Sequence, residues 1–178
     1  LNIGNHPNDT TQVKLVWSPN RSAFRVGSAL STSTDSLSTG IYSTATGKDN
    51  LSGDYSFAMG NNNAATGDNA VSFGINNSAT ALGAGGNGTS FSMGENCNTS
   101  GIRTVCIGRN NLTTNTTAVA LGTNASGTGN VTTAIGNNVT ASANFSTAMG
   151  SFVSSANRLG GFIWGDRSTT TILSPSAN

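Results

Sequence analysis

Gly94, Gly108, Gly122, Gly136 and Gly150 recur at a spacing of fourteen residues, and Gly60 and Gly74 keep the same interval. A fixed period of this length means that one small structural unit is stacked many times. Gly47 stands one residue short of the register, and Gly83 closes a shortened unit. Secondary glycines (Gly53, Gly67, Gly101, Gly129) fall half a repeat before Gly60, Gly74, Gly108 and Gly136.

The residues before each glycine alternate in size. Two before it stand Ala45, Ala58, Ser72, Ala81, Ser92, Cys106, Ala120, Ala134 and Ala148, all small. One before it stand Met59, Phe73, Leu82, Met93, Ile107, Leu121, Ile135 and Met149, with Thr46 the exception. Three before it come Phe57, Val71, Phe91, Val105 and Val119, with threonine in the other units. Period-two alternation predicts a short strand ahead of every glycine. Half-repeats of seven leave no room for helices, so successive strands must coil as a solenoid of about nine turns. At roughly 4.8 Å per turn that is a rod of roughly 40 Å. Neither strand face is strongly polar, so both want cover. One face fills the coil and the other meets neighbouring subunits of a homo-oligomer; which does which stays open at this level.

Each glycine ends a strand at a tight corner, where positive φ suits Gly or Asn. Two residues later asparagine returns as a column: Asn62, Asn76, Asn96, Asn110, Asn124 and Asn138. Such a column either stacks its amides as a ladder or serves the turn.

Composition narrows the function classes. Only 8% of residues are charged, 8 basic against 7 acidic, so neither nucleic acid nor membrane insertion is expected. Leu, Ile, Val and Phe make up about a fifth of the chain, which would read as disorder were they not regularly spaced. No apolar run reaches the roughly 18 residues of a membrane span. No secretory leader is visible at Leu1, so the chain reads as a mature product or a fragment.

The units Ala118-Val119-Ala120-Leu121-Gly122, Thr133-Ala134-Ile135-Gly136 and Thr147-Ala148-Met149-Gly150, with half-units Ala65-Thr66-Gly67 and Thr99-Ser100-Gly101, resemble the head repeats of trimeric autotransporter adhesins, the YadA-like family. Related repeats occur in phage and viral fibres. The resemblance covers about residues 40–150. It implies an all-β, left-handed parallel β-roll, trimeric, displayed outside the cell or virion, and adhesive through surface contacts without catalysis. Three segments are expected: an N-terminal strand, cap or inter-subunit segment over 1–39, the β-roll over 40–150, and a C-terminal cap or connector over 151–178. The unit between Gly83 and Gly94 is irregular and predicts a bulging loop. Residues 11–30 read as two strands around the turn Ser18-Pro19-Asn20, and 158–173 as another pair. Such ends either cap the solenoid or add to the next subunit's open edge to build a filament.

Catalytic residues are scarce, and no enzyme, metal site or cofactor is expected. His6, the one histidine, lies in a Pro/Asn-rich stretch near a terminus. The acidic residues are scattered; only Asp54 and Asp68 share a register, as solvated corner residues. Cys106 takes the small-residue column, and Cys97 lies in the preceding half-unit, where a Cys97–Cys106 disulfide is a candidate. Within the repeats, Asn-x-Ser/Thr sequons occur at Asn50, Asn76, Asn87, Asn98, Asn111, Asn115, Asn124, Asn130, Asn138 and Asn144, candidate glycan acceptors at predicted corners. The expected partners are the chain itself, as trimer or filament, a host surface or matrix ligand, and covalent glycans. An ice- or surface-binding solenoid is the alternative, because Thr66, Ser100, Thr114, Thr128 and Ser142 form one hydroxyl column; a polysaccharide-processing β-helix enzyme fits less well, for want of aligned carboxylates.

Overall fold

Small residues alternating with large ones before each glycine do form strands, and these strands stack in parallel. The computed structural model describes residues 2–3, 14–28, 40–80, 88–166 and 172–173. Among them the protein is all β, coiled into a solenoid of about eight turns. The principal strands Ala23–Ser28, Thr44–Lys48, Phe57–Asn61, Val71–Ile75, Ser90–Glu95 and Thr104–Arg109 lie side by side. Val119–Gly127, Thr133–Ala141, Thr147–Ser154 and Phe162–Asp166 continue the stack. Glycine pairs with glycine at every step from Gly27 to Gly165. Short strands such as Leu51–Ser52, Ala64–Ala65, Ser78–Ala79, Asn98–Thr99 and Leu112–Thr113 form the second side of the coil.

The question of which face turns inward is settled by size. Ala45, Ala58, Ser72, Ser92, Cys106, Ala120, Ala134 and Ala148 fill the interior, and the large flanking residues point outward. Opposite them stand Ser52, Ala65, Ala79, Thr99, Thr113, Ala141 and Ser155, also buried. The two sides are too close for anything bulky. Alanine burial supplies little hydrophobic free energy, so the coil-to-coil backbone hydrogen bonds must carry much of the stability.

The repeat glycine has two reasons to be glycine. At Gly122 the backbone runs at φ +129, and an added Cβ would lie 2.0 Å from the carbonyl oxygen of Gly136 in the next coil. The corner itself is made two residues later, where Asn62, Asn76, Asn96, Asn110, Asn124 and Asn138 all take positive φ. Their side chains pair across coils as well: the amide of Asn62 donates to Asn76 Oδ1 at 3.0 Å, Asn96 to Asn110 at 3.1 Å and Asn124 to Asn138 at 3.1 Å. Both expected roles of the column coexist.

A second asparagine column, one residue further on, lies inside the coil: Asn50, Asn63, Asn77 and Asn111 are buried. Asn63 shows the pattern. Its Nδ2 donates to the Met59 carbonyl at 3.0 Å and to the Gly74 carbonyl of the next coil at 2.7 Å. Its Oδ1 accepts the Asn77 amide at 3.1 Å. These bonds satisfy backbone groups that the bend at the corner takes out of the sheet ladder, each costing about 1–3 kcal/mol if buried unpaired. Further along the rod the column becomes Ala125, Val139 and Val153, where the strand runs on through the corner.

Two details depart from the sequence pattern, and one follows it. Val71–Ile75 pairs directly with Ser90–Glu95, so the unit ending at Gly83 is no coil of the stack; residues 81–87, where the bulging loop was expected, lie outside the described residues. At the N-terminal end Lys14–Ser18 and Ala23–Ser28 form the expected antiparallel hairpin around Pro19, and Asn2–Ile3 adds outside it. The C-terminal strands Phe162–Asp166 and Ile172–Leu173 do not pair with each other; both lie parallel on Thr147–Ser154, in the manner of another coil.

Gly122→Ala should therefore destabilise the fold by roughly 3–5 kcal/mol in denaturant unfolding, from strain and a backbone clash together. Gly160→Asn, at φ +66 with nothing within 4 Å of its added Cβ, should stay within about 1 kcal/mol of the parent.

Candidate functional surface

With small residues inward, everything larger on the principal strands faces out. One outward column holds Phe57, Val71, Phe91, Val105 and Val119; beside it runs Met59, Phe73, Met93, Ile107, Leu121, Ile135 and Met149. Phe162 and Trp164 extend the two columns and are each 66% exposed. The rings associate along the rod, Phe57 with Phe73 at 5.2 Å between centroids and Phe73 with Phe91 at 6.3 Å. Met59 is 45% and Met93 40% exposed and the neighbouring apolar residues are half-buried, so among the described residues this face stays partly open to solvent.

The other side of the coil is different in kind. Its outward positions carry Leu51, Ala64, Ser78, Asn98, Leu112, Ser126, Thr140 and Ser154, beside Thr66, Thr80, Ser100, Thr114, Thr128 and Ser142, a largely polar surface that suits water. The hydroxyl column that suggested ice binding is real, but the column beside it mixes alanine, serine, asparagine and Leu112 rather than a second row of threonine.

The corner before each principal strand presents a third column. Tyr42, Tyr55, Asn69, Arg103, Thr117, Val131 and Phe145 are exposed and all take positive φ. That is strained for the β-branched Thr117 and Val131. Tyr42 and Tyr55 stack at 5.3 Å. Asp54 accepts the Ile41 amide at 2.8 Å and so serves this corner.

The sequon asparagines divide by burial. Asn50 and Asn111 belong to the internal ladder, each with its Nδ2 bonded to two carbonyls, so neither has room for a glycan in the folded coil. Asn115, Asn124 and Asn138 donate their side-chain amides to Thr128, Asn138 and Asn137. Asn76, Asn98, Asn130 and Asn144 are exposed, and their Nδ2 groups donate to no described protein acceptor. Asn87 and His6 lie outside the described residues.

Cys97 and Cys106 are both buried and both free thiols. Cys97 occupies the asparagine-ladder position, its Sγ 3.4 Å from the Met93 and Gly108 carbonyls, standing in for the amide of Asn63 or Asn77. Interaction with Cys106 favours the Cys97 thiolate against the effect of burial, while the same interaction and burial push the Cys106 thiol well up. Among the described residues no three His, Cys, Asp or Glu side chains gather as a metal site.

A model of the family described as YadA head domain repeat (2 copies) matches residues 52–77, 100–125 and 128–152. No curated protein and no solved structure matches the chain. The matched segments are the regular coils on either side of the irregular unit, and their glycines, small interior column and outward apolar column are the features described above. The chain carries YadA-type head repeats.

Proposed function

We propose that the protein is an extracellular adhesive or structural fibre module that assembles as a homotrimer through the apolar face of its principal strands, without catalysis. The observation that carries this reading is that face: two adjacent outward columns, both apolar from Phe57 to Leu121, the one beside the glycine staying apolar on to Trp164 while the other turns to Thr133 and Thr147. A monomer would leave it wet, and an apolar strip of this length marks an interface. Symmetric closure of three copies around one axis covers it on every copy, which suits the trimeric heads of the adhesin family. The polar second side and the corner columns then form the outer surface, free to meet a host surface or matrix ligand.

Sedimentation should give a species of three times the 17.9 kDa chain mass. Replacing Met93 and Ile107 together by Asp should release monomers, because burying a carboxylate in an apolar seam costs several kcal/mol. A monomeric parent chain overturns the trimer, and open-ended fibres would show a filament instead.

Two covalent features belong to the same reading. An oxidising exterior would join Cys97 to Cys106, and glycans would attach at Asn76, Asn98, Asn130 and Asn144. Intact mass of native material under denaturing, non-reducing conditions should show no alkylatable thiol and excess mass in sugar-sized steps. Two alkylatable thiols at bare polypeptide mass would show that neither modification occurs.

A further inference from the structure

The chain has only two tyrosines, and the fold stacks one on the other. Tyr42 and Tyr55 each stand five residues before a repeat glycine, Gly47 and Gly60, on neighbouring coils whose strands pair Thr44 with Phe57. Both take φ +54, so their side chains leave the corner in the same direction. The Tyr42 amide donates to the Arg21 carbonyl and the Tyr55 amide to the Ile41 carbonyl, each at 2.8 Å, which holds the two corners in line along the rod. The rings lie 5.3 Å apart between centroids and 25° from parallel.

The pair is open to solvent, at 59% and 58% exposure. The corner positions on either side carry Ser22 and Asn69, which bring no further ring. Among the described residues neither phenol hydroxyl has a hydrogen-bond partner. Elsewhere the same column holds Arg103, Thr117, Val131 and Phe145, none of which carries a phenol. Phenoxyl radicals couple through the ring carbons beside the oxygen, so coupling needs two rings held together in contact. In a flexible chain that encounter is left to diffusion; at this corner the register of the coils has already made it.

We propose that Tyr42 and Tyr55 are an oxidative cross-linking site, joined within one chain as dityrosine by a peroxidase-type one-electron oxidant working with hydrogen peroxide. Each phenol gives up one electron and its hydroxyl proton. The two phenoxyl radicals then form one carbon–carbon bond between ortho positions, and the hydrogen on each coupled carbon passes to its oxygen as the rings regain aromaticity. The pair loses two electrons and two protons in all, and the peroxide takes these up to leave two waters. The bond ties together two coils near the N-terminal end of the solenoid, where a stacked array has fewest neighbours to hold it. It also closes the chain between the rings and so restricts the unfolded state, as any cross-link does. The site does not depend on the assembly proposed above, because it lies on the corner and not on the apolar face.

Treatment of the full chain with a haem peroxidase and limiting hydrogen peroxide, followed by denaturation, reduction and tryptic digestion, tests it. Lys48 lies between the rings, so trypsin puts Tyr42 in the peptide 26–48 and Tyr55 in the peptide 49–103. The expected product is these two peptides joined and short of two hydrogens, from a chain that still migrates at 17.9 kDa on a denaturing gel. Tyr42→Phe and Tyr55→Phe keep both rings and remove one phenol each, so both should fold as the parent does and yield no joined peptides. The coupled parent should unfold at a higher urea concentration than the Tyr42→Phe chain treated in the same way. Peptides that stay separate, coupling between chains instead of within one, or joining in either phenylalanine variant would each overturn the site. Equal urea resistance of the coupled parent and the treated variant would overturn its role in holding the coils.

Discussion

Everything in this molecule follows from how closely one coil's backbone lies on the next at the repeat glycine. The Cβ of any other residue at Gly108 would lie 1.9 Å from the Gly122 carbonyl oxygen, and the same approach recurs from Gly27 to Gly150. That contact keeps neighbouring coils in register, residue on residue, so each position in the repeat becomes a straight column along the rod. A column multiplies whatever chemistry its position carries. One small interior residue becomes a thin core, one buried asparagine becomes a ladder, and one outward pair of apolar residues becomes a strip.

The thin core has a consequence for where the hydrophobic effect acts. An ordinary domain puts its large apolar side chains inside. Here alanine, serine and threonine take the interior, because the two sides of the coil leave no more room, and the Phe, Met, Ile and Leu side chains remain outside. The free energy of burying them, about 1.5–3 kcal/mol for a large side chain, is then available only through association. In the proposed trimer, fold and assembly are therefore coupled in a way that neither the ladder nor the backbone alone requires.

Much of this was legible in the sequence. The glycine period located the strands, the alternation identified the two columns, and the turn at Ser18-Pro19-Asn20 marked the N-terminal hairpin. The direction of the alternation was not legible, since a strand's two faces are interchangeable until the distance across the coil is known. The buried ladder was not legible because the exposed column of Asn62, Asn76 and Asn110 hides the buried Asn63, Asn77 and Asn111 one residue later; the repeated Asn-Asn pair was the available signal. Gly83 misled because it repeats the local motif without keeping the fourteen-residue interval. The end strands were under-read for the opposite reason. Phe24-Arg25-Val26-Gly27 and Phe162-Ile163-Trp164-Gly165 keep the backbone register while placing Arg25 and Ile163 in the column of small residues.

The central claim is that the outward apolar strip is buried between subunits, and the chain contains its own probes. All three methionines, Met59, Met93 and Met149, belong to the column beside the glycine. Mild peroxide treatment of the native protein, read by mass, converts accessible methionine to its sulfoxide. The account predicts that all three are protected in the native assembly and oxidise together once it is unfolded. Rapid uptake of three oxygens by the native protein, at the rate of the unfolded chain, would contradict it.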